Sequence, residues 1–117
     1  MTEVRPATAA DFRAVYGREP ERSFQGYALR VDGKPVAVCG LYRAEGKTVA
    51  FSQVAQPAPK RGLVRLANTL LDLMRQRGTQ VYALRDESVP TSGTLLSHLG
   101  FKRVGSAPEG GVYQWLT

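Results

Sequence analysis

One segment determines the fold that this sequence predicts: residues 54–101, which read VAQPAPKRGLVRLANTLLDLMRQRGTQVYALRDESVPTSGTLLSHLGF. Pro57 and Pro59 lack an amide donor and push the residues before them into extended geometry, so a strand must end near them. From Gly62 onward apolar residues recur at helical spacing, and Gly78 fits the stop of that helix. The segment therefore predicts a strand end, a basic loop and a long amphipathic helix, an order that directs helix N–H groups at a bound phosphate.

The strands on either side of this helix set the topology. Gln80–Leu84 reads as a buried strand, and a strand, a long helix and a strand in this order predict a right-handed crossover between parallel strands. Asp32-Gly33 supplies a hairpin turn within the region before the crossover. Three strands are predicted there: Phe24–Val31, Pro35–Tyr42 and Thr48–Val54.

The amino-terminal residues predict one more strand and a helix. Val4–Thr8 reads as a short strand, and Thr8 with Asp11 forms the capping-box pattern of a helix that ends near Gly17.

The carboxyl-terminal residues predict a short helix and a last hairpin. Ser88 or Thr91 is positioned to cap the helix, which runs to His98. Phe101–Val104 and Val112–Leu116 then form the hairpin. The predicted class is α/β (α+β): a mixed, mostly antiparallel sheet of six to seven strands with about three helices.

Length and composition predict a single globular domain. A second domain in 117 residues would leave each half too small to bury a core, so residues 1–117 are expected to fold together. Cys39 lies in an apolar run and is the only cysteine, which excludes an intrachain disulfide and favours a buried, inert thiol. With a single histidine, His98, no metal site is predicted. No apolar run is long enough to span a bilayer, and a reducing cytoplasm is the expected compartment.

Positive charge is concentrated around the basic loop. The net charge is +6, and no carboxylate occurs between Glu45 and Asp72. Lys47, Lys60, Arg61 and Arg65 fall inside that interval. A phosphorylated small molecule suits these few charges better than nucleic acid, because the basic residues are scattered singly without an aromatic RNA-binding signature. The alternative interpretation is a solvated surface of a basic protein.

The order of these motifs resembles the GNAT superfamily of N-acetyltransferases. The resemblance rests on Arg5-Pro6-Ala7-Thr8 with Asp11, the spacing from Val54 to Gly62, the Leu-rich helix ending at Gly78, and the sequence of residues 95–101, LLSHLGF. It implies a splayed sheet with acetyl-CoA between the fourth and fifth strands, and transfer of its acetyl group to an amine acceptor. The implied coenzyme-binding residues are Val54, Lys60, Arg61, Gly62, Leu63 and Val64.

The loop before the long helix departs from the family pattern. That pattern is Arg/Gln-x-x-Gly-x-Gly/Ala, and it aligns with Pro59–Val64, where only Gly62 fits. Pro59 removes an amide. Val64 places a branched side chain where close approach of the backbone to phosphate favours glycine or alanine.

The expected acid and base are also absent. The family's Tyr general acid aligns with Leu96, and its Asn with Val89. The fourth strand carries no carboxylate and leaves only Ser52 and Gln53 as polar candidates. Tyr42 or Tyr113 is a substitute acid if its hydroxyl points into the cleft.

Asp86 and Glu87, just past the fifth strand, are further catalytic candidates. They suit attraction of a cationic amine or its deprotonation through water. The alternative is a turn and helix-dipole role, which adjacent carboxylates between a strand and a helix usually serve.

A second resemblance supports a different class of function. The short chain and the altered loop are similar to small GNAT-like proteins encoded by tailed bacteriophages, including internal virion proteins. It implies a catalytically silent structural or interaction protein, located in the host cytoplasm or the virion, with other virion proteins as partners. Retained coenzyme binding distinguishes the enzyme from this alternative.

Overall fold

The computed structural model describes residues 1–55, 58–85, 99–108 and 110–115. Within them a seven-stranded sheet has the order β1-β2-β3-β4-β5-β7-β6. The strands are β1 (Thr2–Pro6), β2 (Phe24–Val31), β3 (Lys34–Ala44), β4 (Lys47–Val54), β5 (Val81–Arg85), β6 (Lys102–Ala107) and β7 (Gly110–Trp115). The two described helices are α1 (Ala9–Tyr16) and α2 (Lys60–Arg77).

Strand pairing confirms the mixed, mostly antiparallel sheet. Only β4 and β5 pair in parallel among the described strands, and α2 connects them as the predicted crossover. The hairpins on either side of β3 close through Asp32-Gly33 and Glu45-Gly46, whose residues all have positive φ between 52° and 80°. Such turns match the twist of the strands they join. Short local motifs therefore set the register of β2, β3 and β4.

Helix α1 begins and ends where the sequence predicts. The Thr8 hydroxyl accepts from the Asp11 N–H, and an Asp11 carboxylate oxygen accepts from the Thr8 N–H, forming a capping box. Gly17 ends the helix in the left-handed conformation and donates its N–H to the Arg13 carbonyl at 2.8 Å. Both ends are satisfied locally.

Helix α2 covers one face of the sheet. Its buried residues include Leu66, Leu70, Leu73 and Met74, and they join one hydrophobic core with residues of β2 to β5 and β7. Leu29, Cys39, Leu41, Ala50, Val81, Tyr113 and Trp115 belong to this core. This helix begins at Lys60, directly after its N-cap residue Pro59, which is two residues before the predicted start at Gly62.

Helix α1 packs on the opposite face. Successive side chains of a strand point to opposite faces, so Phe51 lies across the sheet from Ala50. The Phe51 ring lies 6.0 Å from that of Phe12 in α1, and the Phe24 ring lies 5.5 Å from both. A second, aromatic core therefore forms beneath α1.

The predicted third helix and its candidate residues Ser88, Thr91 and His98 lie outside the described residues. The last hairpin is longer than predicted, since β6 runs to Ala107, with a shift of register between Arg103 and Gly105. In the described part of the chain, no helix is both long and apolar enough to cross a membrane.

Candidate functional site

The sheet opens between β4 and β5. These strands pair over three positions only, the last being Ala50 with Ala83. Beyond that point β4 stays paired with β3 as far as Val54, and β5 stays paired with β7 as far as Arg85. The two strands therefore separate after Ala50, and a wedge-shaped opening forms inside a continuous sheet.

The backbone of β4 directs polar groups into this opening. The Ala55 N–H donates to the Val36 carbonyl at 2.9 Å, which makes these residues a hydrogen-bonded pair. Hydrogen-bonded and non-hydrogen-bonded pairs alternate along an antiparallel ladder, so Gln53 bonds to β3. Ser52 and Val54 consequently turn their N–H and C=O groups away from β3 and toward the opening.

The side chains of Ser52 and Gln53 leave β4 on different faces. Ser52 shares the α2 face with Ala50, whereas Gln53 shares the α1 face with Phe51, and both predicted residues are exposed. The structure thus places them beside the opening without bringing their side chains together. Asp86 and Glu87 lie outside the described residues.

The amino end of α2 differs from that of α1. Pro59 occupies the N-cap without a side-chain hydrogen bond, and the first turn contains no acidic residue. The first helical bond runs from the Leu63 N–H to the Pro59 carbonyl at 3.0 Å. The N–H groups of Lys60, Arg61 and Gly62 precede it and have no partner inside the helix. This end of α2 is therefore an uncapped, positive terminus flanked by two exposed cations.

Gly62 faces the sheet. A Cβ at this position would lie 2.9 and 3.1 Å from the two Leu29 methyls and 3.1 Å from Thr2 Cγ2. The absence of a side chain at Gly62 therefore lets α2 pack closely on β1 and β2, a role separate from the phosphate contact that the family pattern implies. Val54 and Val64, also in the predicted coenzyme set, leave 49% and 46% of their surfaces exposed.

A cavity of about 170 Å³ lies on the α1 face. Pro20 and Glu21 form part of its lining. The other lining residues are five aromatic residues and two arginines: Phe12, Tyr16, Phe24, Tyr42, Phe51, Arg18 and Arg22. Of the five aromatic residues that line this cavity, only Tyr42 is a candidate site residue from the sequence. The signal for Phe24 and Phe51 is register, since both occupy the same face as Tyr42 across three neighbouring strands.

The tyrosines of the site have different surroundings. Burial raises the pKa of Tyr16 to about 12, and the nearby Arg18 opposes the shift. The Tyr16 hydroxyl is therefore a weaker acid than that of an ordinary tyrosine. Tyr42 lines the cavity, whereas Tyr113 is buried in the α2-face core opposite Ala83. No cluster of three or more metal-ligating side chains occurs within the described ranges.

No protein-family model matches the sequence, and no curated protein matches it significantly. Several solved structures, in contrast, are similar to this chain. The ribosomal-protein-S18-alanine N-acetyltransferase of Escherichia coli is similar over 98% of this chain and 93% of its own, at 16% identity and a TM-score of 0.70. The PaiA N-acetyltransferase of Thermoplasma acidophilum, solved with coenzyme A, is similar over 100% and 99%, at 10% identity and a TM-score of 0.74. The chain has the GNAT fold.

A further GNAT-fold structure was solved with acetyl-CoA. The Salmonella typhimurium protein yncA is similar over 98% of this chain and 93% of its own, at 14% identity and a TM-score of 0.74. At these identities the likeness is one of fold. The mixed sheet with a parallel β4–β5 pair, which the strand, helix and strand order predicts, agrees with this fold.

Proposed function

We propose that residues 1–117 form an N-acetyltransferase domain that transfers an acetyl group from acetyl-CoA to an amine. The opening between β4 and β5 carries this proposal, because the backbone groups of Ser52 and Val54 are directed into it. GNAT-fold neighbours solved with coenzyme A or acetyl-CoA support the choice of ligand.

The Val54 amide is the proposed electrophilic group. An N–H that is not used in the β3–β4 ladder can donate to the thioester carbonyl, and the donation strengthens as negative charge develops on that oxygen. The donor is held by a strand that pairs with β3 along its whole length. Its position therefore needs no rearrangement during the reaction.

The amino end of α2 is the proposed pyrophosphate site. The amides of Lys60, Arg61 and Gly62 and the two exposed side chains provide donors and positive charge for an anion. Leu63 contributes differently, because its amide is used within the helix. With the exposed valines Val54 and Val64, Leu63 is proposed to contact the apolar part of the coenzyme.

The reaction balances without a covalent enzyme intermediate. The neutral amine attacks the thioester carbon, a C–N bond forms, the C–S bond breaks, and the amine proton accompanies the departing sulfur as a thiol. Positioning supplies a large share of such rate enhancements. Ser52 and Gln53 suit hydrogen bonding to substrate, while Asp86 and Glu87 remain proposed attractants or bases for the amine and Tyr42 a proposed acid.

A thermal-shift titration with acetyl-CoA, CoA and desulfo-CoA tests the proposal. Ligand at about 100 times its dissociation constant stabilises a fold by about 2.7 kcal/mol, so saturable shifts of several degrees are expected with all three compounds. Absence of a shift at millimolar ligand would refute a coenzyme site. That result would favour the silent interaction protein, which stays a prediction because no described residue specifically favours it.

A further inference from the structure

The cavity on the α1 face reaches the beginning of the β4 opening at one residue, Phe51. Phe51 forms part of its wall and follows Ala50, the last residue of β4 that pairs with β5. A molecule in this cavity therefore approaches β4 from the face opposite α2. No residue of the proposed pyrophosphate site lines the cavity.

Two paired strand glycines support the aromatic floor. Gly26 lies opposite Gly40, and a Cβ at Gly40 would lie 3.0 Å from Phe51 Cε1. Because neither glycine carries a side chain, the Phe51 ring lies close to the sheet beside those of Phe24 and Tyr42, at 5.5 and 5.9 Å. The shape of the cavity floor is thus set by the backbone of β2 and β3 at these two glycines.

Guanidinium groups already lie on the ring faces. Arg18 lies 5.6 and 5.4 Å from the ring centres of Phe12 and Tyr16, and Arg22 lies 5.1 Å from that of Tyr42. A cationic ligand would compete with these groups for the rings and be repelled by them. The aromatic lining therefore does not act as a cage for a free cation.

The surrounding charge favours an anion. Arg18 has a carboxylate partner in Glu21 at 3.8 Å, whereas Arg22 donates to a neutral group, the Arg43 carbonyl, at 3.2 Å. Arg22 also borders an adjacent groove, where Arg43 and Arg77 are further lining residues. Of the described residues that line either cavity, Glu21 alone is acidic.

We infer that this cavity is the acceptor site of the proposed reaction and selects a small amine that also carries a carboxylate on an apolar or aromatic body. The inference rests on the proposed function. Arg22 pairs with the carboxylate through its planar fork. The body lies on the rings of Phe12, Phe24 and Phe51, and the amine is directed toward β4.

The size of the cavity agrees with such a ligand. A cavity of about 150 Å³ accommodates benzene, so about 170 Å³ holds one ring or a branched aliphatic group. The carboxylate then lies at the arginine-lined mouth. The transfer would convert the amine into an N-acetyl amide and release coenzyme A as the thiol.

Calorimetric titration of the full chain with three matched probes tests the inference without acetyl transfer. L-Phenylalanine carries the amine, the carboxylate and the ring, 3-phenylpropionate lacks the amine, and 2-phenylethylamine lacks the carboxylate. Both carboxylates are expected to bind at least about tenfold more tightly than 2-phenylethylamine, as for a charge-assisted hydrogen bond. Arg22→Gln should abolish that preference, and Arg13→Gln, which removes a cation paired with Glu19 outside the cavity, should preserve it.

Several outcomes overturn the inference. Tighter binding of 2-phenylethylamine would mean that Glu21 recognises the amine, and equal or absent binding of all three probes would exclude this acceptor class. A preference that survives Arg22→Gln would remove Arg22 from recognition. A parallel CoA titration separates the two proposals: CoA binding without probe binding overturns only the acceptor class, whereas probe binding without CoA binding overturns the acetyltransferase proposal.

Discussion

Arg30 donates a hydrogen bond from Nη2 to Oδ1 of Asp11 at 2.6 Å and so joins β2 to the first turn of α1. Only 1% of Asp11 is exposed, and its other carboxylate oxygen accepts the Thr8 N–H of the capping box. The buried Arg30 Nε has no hydrogen-bond partner among the described residues. One carboxylate therefore caps a helix and compensates a partly buried cation.

Asp11→Ala is expected to lower the free energy of unfolding by about 3 kcal/mol or more. The substitution removes a cap and also leaves the Arg30 guanidinium without its anion. Urea denaturation at neutral pH measures the loss. Glu19→Ala is the matched control, because Glu19 pairs with Arg13 at an exposed site, where an ion pair contributes little to stability. Equal effects of the two variants would contradict a structural role for the Asp11–Arg30 pair.

The glycine pair between β2 and β3 predicts a second large effect. A Cβ at Gly26 would lie 2.0 Å from the Cys39 carbonyl oxygen, a backbone atom that cannot move aside. Gly26→Ala should therefore destabilise the fold by about 3 kcal/mol or more, or prevent folding. Gly105→Ala, in β6, is the control, since its Cβ would meet no atom within 4 Å. Circular dichroism with urea titration distinguishes the two, and a stable, fully folded Gly26→Ala protein would refute this packing.

Cys39 is predicted to be unreactive in the folded protein. Burial raises the pKa of its thiol to about 12, and its Sγ lies 3.9 Å from the Leu66 carbonyl oxygen beneath α2. A thiol reagent at pH 8 should therefore modify the native chain at least about a hundredfold more slowly than the urea-unfolded chain. Rapid native labelling would show that α2 does not cover β3 as described.

Because the pKa of the Cys39 thiol is raised in the folded chain, the free energy of unfolding is expected to fall at alkaline pH. Its pKa is about 12 in the folded chain and 9.0 as an ordinary thiol, so the unfolded state loses its proton first. The contribution of the neutral thiol is complete below pH 9 and is lost as pH rises from 9 toward 12. The difference in unfolding free energy between pH 8 and pH 10 should be smaller in Cys39→Ala than in the parent. An unchanged pH slope would contradict the raised pKa.

Local sequence signals predicted much of this fold because their determinants lie within a few residues of one another. The Thr8–Asp11 capping box, the Asp32-Gly33 turn and the stop at Gly78 each depend on nearby backbone geometry. The apolar spacing of α2 likewise predicted its buried face. The strand, helix and strand order then led to the parallel β4–β5 pair.

The parts that sequence analysis missed depend on register and tertiary packing. Phe12, Phe24 and Phe51 are separated along the chain and meet only when α1 packs on three aligned strands. Gly62 matched a phosphate-loop position, while its contacts with Leu29 and Thr2 become visible only in the packed helix. The opening beside Val54 likewise cannot be predicted from the sequence, because its position depends on where the β4–β5 pairing ends.

The Lys60→Ala, Arg61→Ala double variant tests the proposed pyrophosphate site. Both side chains are exposed, so the substitutions should hardly change stability while weakening CoA binding about tenfold or more. Lys34→Ala, Arg75→Ala is the charge-matched control, because it removes two cations that lie at the start of β3 and near the far end of α2. Affinity should also fall with added salt in the parent more than in the double variant. Equal CoA affinity in the parent and both variants would exclude this end of α2 from the site.

Val54→Pro tests the amide that we propose to polarise the thioester. The Val54 N–H points away from β3, so proline at this position removes a donor to the opening without removing a hydrogen bond of the β3–β4 ladder. The turnover of acetyl-CoA with an accepted amine should fall about a hundredfold, as on loss of one oxyanion donor, while CoA affinity changes less. Gln53→Pro is the control of opposite character, since it removes a ladder donor and should lower the urea midpoint of unfolding. Undiminished turnover in a folded Val54→Pro protein would show that another group polarises the thioester. If Val54→Pro lost folding to the same extent as Gln53→Pro, the Val54 N–H would not point away from β3, and its proposed role would be refuted.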